Sequence, residues 1–289
     1  HKTKKLNYIK QEFFKINHKT TKIKPILESA IKKRIPSKGL GLLFSGGIDS
    51  TLLAHILKQH TNFTAYMTVA ETKSDEIKNA QKIAKKLKFK LKLVKINKDL
   101  LKKELPKIIN LIETADPVKV EVGATMYFAL KEAKKDNIKV IFSGVGADDI
   151  LGGYKRMSQT QDISLDSLSN LRRIYERDLY RDDVLSMAHN IELRLPYLDK
   201  KLVQACLNTT NELKVGDTPK TLLRKIAKEL KLPKEFTELK RNAAQYSSGI
   251  GKLTSKIVKE EKTFKGKYFS KILKRKNLKL GALLSTGKD

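Results

Sequence analysis

"LGLLFSGGIDSTLLAHILKQ", Leu40 to Gln59, is an apolar run, then a burst of glycine and hydroxyl residues, then an amphipathic stretch. The apolar run predicts a buried strand over 40–44, and the last stretch a helix over 48–59. Between them stand Ser45, Gly46 and Gly47, and the helix opens on Ile48, Asp49, Ser50 and Thr51. A glycine-rich turn between strand and helix is the general layout for holding phosphate. Backbone N–H groups approach the anion closely, and the helix N-terminus adds partial positive charge. The ATPase form G-x-x-x-x-G-K-[ST] is absent, since no lysine stands at that spacing. The dinucleotide fingerprint fails too, because Gly39-Leu40-Gly41 precedes the strand. What remains is a set of hydroxyls and amides able to wrap one compact dianionic group, with Asp49 placed to hold a magnesium ion against it.

Strand and helix patterns alternate onward from this turn. Thr64–Ala70 reads as a strand, Ser74 caps a helix with acidic residues in its first turn, and 90–96 is a third strand. Helices follow over 99–113 and 123–137, then a strand over 139–144. The class expected is α/β: an open parallel Rossmann-like sheet with helices on both faces. After Tyr154 the pattern offers only helices and loops, among them Pro219–Pro233. The organisation expected is a basic helical extension over 1–37, a nucleotide-binding α/β core over 38–160 and a helical part over 161–289. That last part completes the site and ends in a basic tail from about 262.

With 289 residues, 40% of them apolar, the chain can bury a real core. No apolar run approaches the roughly eighteen residues of a membrane span, so no membrane partner is expected. The lysine-rich N-terminus lacks the apolar centre of a secretory signal, and His1 reads as a processed or trimmed end. Cys206 is the single cysteine, which leaves no internal disulfide and no multi-cysteine zinc site. Within "DKKLVQACLN" it reads as a buried structural thiol, and the cytoplasm is the compartment that suits such a chain. Lys plus Arg is 61 against 31 acidic residues, a net charge of +30. Such a field attracts polyanions. The charge is mostly lysine spread along the chain, and aromatics are only 7% with no basic tract interleaved with rings. A solvated, lysine-biased surface is therefore favoured over a nucleic-acid partner.

The order Ser45-Gly46-Gly47-Ile48-Asp49-Ser50 resembles the S-G-G-x-D-S pyrophosphate loop of the ATP pyrophosphatase (PP-loop) superfamily. "IFSGVGADDILGGYKR" (141–156) resembles the S-G-E-G-x-D-E-x-x-G-G-Y segment of the asparagine synthetases within it. "LYRDDVLSMAHNIELRLPYLDKKLV" (179–203) is similar to their stretch ending E-x-R-x-P-F-L-D, and "PKTLLRKIAKELKLP" (219–233) to K-x-x-L-R-x-A. "LIETADPVKVEVGATMYFAL" (111–130) fits their E-x-x-D segment. The fragment "KRNAAQYSSGIGK" (240–252) is similar to the branch called asparagine synthetase domain-containing protein 1.

This resemblance implies an ATP- and Mg2+-dependent ligase that adenylates a carboxylate, aspartate above all, and lets an amine displace AMP. It implies that Ser45, Gly46, Gly47, Asp49, Ser50 and Thr51 bind the pyrophosphate, with the base near Leu43, Val69, Ser143 and Gly144. Asp49 and Asp148 would share the metal, and Lys220 would steady charge on the transferring groups. Glu192 and Arg194 match E-x-R, as catalytic residues or as a surface ion pair; Glu113 and Asp116 match E-x-x-D, near the metal or in a loop. Three departures stand out: Val145 where the family has a glutamate that serves amidation, Asp149 in place of a longer acid, and no arginine near Glu121. Glutamine-dependent members begin on a catalytic cysteine; here residue 1 is histidine and Cys206 is internal. Free ammonia or a separate glutamine amidotransferase is therefore the expected nitrogen donor. Two alternatives stay open: an RNA- or tRNA-modifying PP-loop enzyme, suggested by the charge, and a nucleotide-binding scaffold.

Overall fold

The computed structural model describes residues 22–70, 74–160, 162–214, 220–238 and 248–274. Five parallel strands form one sheet in the order β3-β2-β1-β4-β5: β1 (Leu40–Leu43), β2 (Thr64–Val69), β3 (Lys90–Lys95), β4 (Val140–Phe142) and β5 (Glu192–Arg194). From β1 the chain runs outward through β2 and β3, then returns to the other side of β1 to lay down β4. The carboxyl ends of β1 and β4 thus flank the point where strand order reverses, the place where open α/β sheets bind ligands.

The helices are α1 (Ile23–Lys32), α2 (Ile48–Lys58), α3 (Asp75–Leu87), α4 (Lys98–Ile112), α5 (Pro117–Lys135), α6 (Ala147–Ile150), α7 (Ile163–Ile174), α8 (Tyr180–Met187), α9 (Lys200–Asn208), α10 (Asn211–Lys214), α11 (Thr221–Glu229), α12 (Lys234–Thr237) and α13 (Ile250–Glu260). A further helix covers 265–274. Because side chains alternate along a strand, β2 sends Ala65 and Met67 into one apolar cluster and Tyr66 into the other. The first cluster holds α1, α2, α3, α9 and α11 against the sheet; the second holds α4, α5 and α13. Ser74 caps α3 as the sequence predicts, its side chain accepting from Ile77 N at 3.3 Å.

Three expectations are corrected. A strand does follow Tyr154: β5 pairs with β4, but it is three residues long and carries Glu192 and Arg194, so no apolar run announces it. Helix α5 begins at Pro117 instead of 123, because Asp116 caps it through Lys119 N (2.8 Å) and proline suits a first helical position. Within the stretch expected as a basic tail, 265–274 is helical and Phe269 is fully buried in the second cluster.

Cys206 is fully buried, and burial pushes its thiol up to about 12, an inert structural position. Beside it lies Lys214, fully buried and, among the described residues, with no carboxylate on its ammonium: Nζ donates to Ser164 Oγ (2.6 Å) and reaches Leu207 O at 3.5 Å. Burial lowers its pKa to about 8. Below that pH the folded and unfolded states both carry the proton, and the full cost of burying the charge is felt. Between about 8 and the ordinary lysine value the folded state sheds the proton first, so stability rises with pH. Lys214→Met is expected to raise unfolding free energy by about 2 kcal/mol at pH 7, with the gain fading as urea melts are repeated towards pH 10.5.

Candidate active site

The turn after β1 is closed by its own hydroxyls. Ser50 Oγ donates to Gly47 O (3.2 Å), lies 3.1 Å from Ser45 Oγ and accepts from Ser45 N at 3.3 Å. Gly46 takes the left-handed region at φ +73°, which a side chain would resist, and Gly47 is the residue before α2. Ile48, Asp49, Ser50 and Thr51 form the first turn of α2 and are all buried, although three of the four are polar. Thr51 Oγ1 is enclosed and has no hydrogen-bond partner among the described residues.

Lys220 reaches this turn from far along the chain. Its Nζ lies 2.7 and 2.6 Å from Asp49 Oδ1 and Oδ2 and 2.6 Å from Asp148 Oδ1. Burial works against the ammonium, but the two carboxylates outweigh it and hold its pKa above the ordinary lysine value. Lys220 adopts φ +60° just before α11, an uncommon backbone for lysine and the sort of local cost found where geometry serves a site. Asp49 is 2% exposed, while the Asp148 side chain is 38% exposed and faces open space.

That space is a cleft of about 200 Å³ between the ends of β1 and β4. Leu43, Ser45, Asp49, Ser50, Ser143, Gly144 and Asp148 line it, as do Tyr66, Thr68, Thr125, Met126 and Ala129 on an apolar wall. Val122, Val145, Arg181 and Asp182 line it as well. Gly144 packs against Asp49, where an added Cβ would sit 3.3 Å from Asp49 Cβ. Among the described residues no three His, Cys, Asp or Glu side chains converge as a metal cage. Two carboxylates are enough for Mg2+, which usually completes its shell with water and substrate phosphates. The Asp49–Asp148 pair therefore fits a cation that arrives with a polyphosphate.

Other expected residues lie apart from the cleft. Val69 gives its carbonyl to Ile96 N (2.9 Å) as part of the sheet ladder. Glu192 and Arg194 pair with each other (2.9 and 3.0 Å), and Arg194 Nη1 donates to Arg34 O, tying the edge strand to the residues after α1. Asp116 caps α5, and Glu113 accepts from Tyr180 Oη at 3.4 Å. Buried Glu121 takes Lys265 Nζ (2.6 Å) and Thr254 Oγ1 (2.5 Å), so it binds the C-terminal segment to α5.

Sequence reasoning missed several supports of the site. Tyr197, fully buried, donates through Oη to Asp49 O at 3.0 Å. A Cβ on Gly146, at φ +93°, would meet the Leu198 side chain. Both Tyr197 and Leu198 sit in the P-Y-L-D run, next to the charged pair that drew attention. A π-helical turn, Tyr175–Leu179, precedes α8 and carries Arg177, whose Nη2 holds Asp149 Oδ1 at 2.6 Å. Such turns are frequent at functional sites, but hydrophobic periodicity does not reveal them. Gly153 matters most. A Cβ there would overlap Asp148 Oδ1 and sit 2.6 Å from Lys220 Cε.

The sequence matches the asparagine synthase family over residues 22–170 and 160–270. It is 28% identical over 299 residues to "Putative asparagine synthetase [glutamine-hydrolyzing] 1" of Methanocaldococcus jannaschii, covering 88% of this chain and 54% of that protein. To the asparagine synthetase of Homo sapiens it is 29% identical, covering 82% of this chain and 44% of that protein. The chain spans about half the length of the curated relatives it matches. The solved NMN synthetase from Francisella tularensis overlaps 78% of this chain and 77% of its own at a TM-score of 0.45 and 13% identity, too loose to carry an argument.

Gly153→Ala is expected to cost about 1–3 kcal/mol in urea unfolding, the range of an overpacked core. Gly266→Ala, where an added Cβ meets nothing nearer than 3.8 Å, is expected to be neutral or slightly stabilising in the same measurement.

Proposed function

From the premise that the chain belongs to the asparagine synthase family, we propose that it is an ATP-dependent amide-forming ligase, releasing AMP and pyrophosphate, with aspartate as its first candidate substrate. The observation that carries this reading is Lys220 Nζ held 2.6–2.7 Å from both Asp49 and Asp148 at the mouth of the hydroxyl- and glycine-rich turn. A fixed cation between two acids, beside a helix N-terminus and backbone amides, suits a triphosphate whose outer groups must leave as a unit.

The turn from Ser45 to Thr51 would grip those outer phosphates with its backbone amides and hydroxyls. Asp49 and Asp148 would hold Mg2+, which when bound neutralises phosphate charge and favours departure of pyrophosphate. Leu43, Ser143 and Gly144, with the apolar wall of Met126 and Ala129, would receive the base and sugar. A carboxylate attacking the α-phosphorus from the Asp148 side would find Lys220 ready to offset the charge that develops, at no cost of reorganisation. Val69, Glu192 and Arg194 are left out of the chemistry: the first serves the sheet ladder and the pair anchors the N-terminal helix. Ammonia would supply the nitrogen.

Lys82 and Lys86 are paired with Glu235, Lys92 with Glu132 and Asp136, and Lys98 with Glu260, so part of the lysine surface is engaged in ion pairs, while the chain as a whole keeps a net charge of +30.

Incubation with magnesium ATP, labelled pyrophosphate and aspartate is expected to give aspartate-dependent exchange of label into ATP. Lys220→Met and Asp49→Asn are each expected to lower it by about 10²-fold or more. Exchange that ignores every amino acid offered, or that survives both substitutions, would overturn the assignment.

A further inference from the structure

The amide-forming half of such a reaction needs an amine stripped of its extra proton, and the family's acid for that step is missing at Val145. Two of the acids lining the cleft, Asp49 and Asp148, are bound to Lys220. The Tyr66 hydroxyl donates to Asp136 at 2.8 Å. Among the described lining residues that leaves one further acid, Asp182, which lines the same cleft as Val122 and Val145.

Asp182 is 1% exposed, yet it borders the cleft. Arg181 approaches it with Nε at 2.8 Å and Nη2 at 2.7 Å, both on Oδ1. Among the described residues Oδ2 takes no hydrogen bond, and Asp182 is one of the residues that line the cleft. Behind the pair, Asp178 bridges Arg181 (3.2 Å) and Arg177 (2.6 Å), and Arg177 reaches Asp149 (2.6 Å). This network sets three carboxylates against two guanidiniums, one negative charge in excess in a largely buried place. Such an excess is relieved by a cation entering the cleft.

We propose that Asp182 receives a protonated amine in the cleft and takes its proton, filling the role left vacant at Val145. The inference rests on the ligase reading given above. The proton passes from the ammonium to Asp182 Oδ2, and the freed lone pair forms the carbon–nitrogen bond at the activated carbonyl. The carbon–oxygen bond to AMP breaks with its electron pair leaving on the AMP phosphate, and the surplus proton on nitrogen goes to solvent. Burial, opposed by Arg181 and assisted by Asp178, raises the Asp182 carboxyl to about 6, a value suited to a base working near neutrality. Arg181 is a positioning residue here. It commits Oδ1 and so aims Oδ2.

The two half-reactions separate the possibilities. Wild type, Asp182→Asn and Asp182→Glu would be assayed for amino-acid-dependent ATP–pyrophosphate exchange across the standard amino acids. The accepted one would then be used for amide formation from ammonium chloride and hydroxamate formation from hydroxylamine, which is already neutral at pH 7. Asp182→Asn is expected to keep exchange and hydroxamate formation within about twofold, and to lose about 10²-fold in ammonium-dependent amide formation. Asp182→Glu is expected to recover part of that loss. Unchanged amide formation in Asp182→Asn, or equal loss with ammonium and hydroxylamine, would overturn the inference and leave the ligase reading standing. Loss of exchange in Asp182→Asn would overturn it too, by moving Asp182 into carboxylate activation. Absence of exchange in the wild type would bring down the ligase reading, and this inference with it.

Discussion

One ammonium group holds the cleft together. Lys220 Nζ sits between Asp49 and Asp148, nearly buried, and joins the turn after β1, the turn after β4 and the start of α11. Two carboxylates at this distance would repel each other in a site of low polarity, and one cation between them makes their approach tolerable. The neighbouring glycines follow from that crowding. Gly153 has no room for a side chain beside Asp148 and Lys220, and Gly144 lets the β4 turn close on Asp49.

The sheet decides where those turns meet. Reversal of strand order beside β1 leaves a crevice between the carboxyl ends of β1 and β4. The later helices then build its sides. Tyr197 props the Asp49 backbone, Leu198 fills the space that Gly146 leaves, and the π turn sets Arg177 on Asp149 ahead of Arg181 and Asp182. The helical half is thus part of the site and not an appendage to it.

The cleft is lined by groups of contrasting kind: the hydroxyls of the turn after β1, Asp49 and Asp148 held by Lys220, two valines, and the Arg181–Asp182 pair. Val145 brings no charge to this lining, whereas Asp182 brings a carboxylate to it. Near Glu121, where the sequence lacks an expected arginine, the carboxylate is taken by Lys265 and Thr254, fastening residues 254–265 to α5.

What the sequence determined by itself was local. Alternation of apolar runs with amphipathic stretches gave the α/β class, and the order Ser45 to Thr51 marked the glycine- and hydroxyl-rich turn between β1 and α2, because a strand, a tight turn and a helix start are set by neighbouring residues. The motif around Asp148 and the lysine at 220 were legible in the same way, as residue types at fixed spacing. Only the tertiary structure decided which distant groups share space. It put Lys220 on Asp49, 171 residues away. It also tied Glu192 and Arg194 to the residues after α1, buried Lys214 with no counter-charge among the described residues, and brought Asp182 to the cleft. A charged side chain reads the same in sequence whether it faces water or a partner from another strand end. Its role is fixed by burial and by the charges that folding gathers around it.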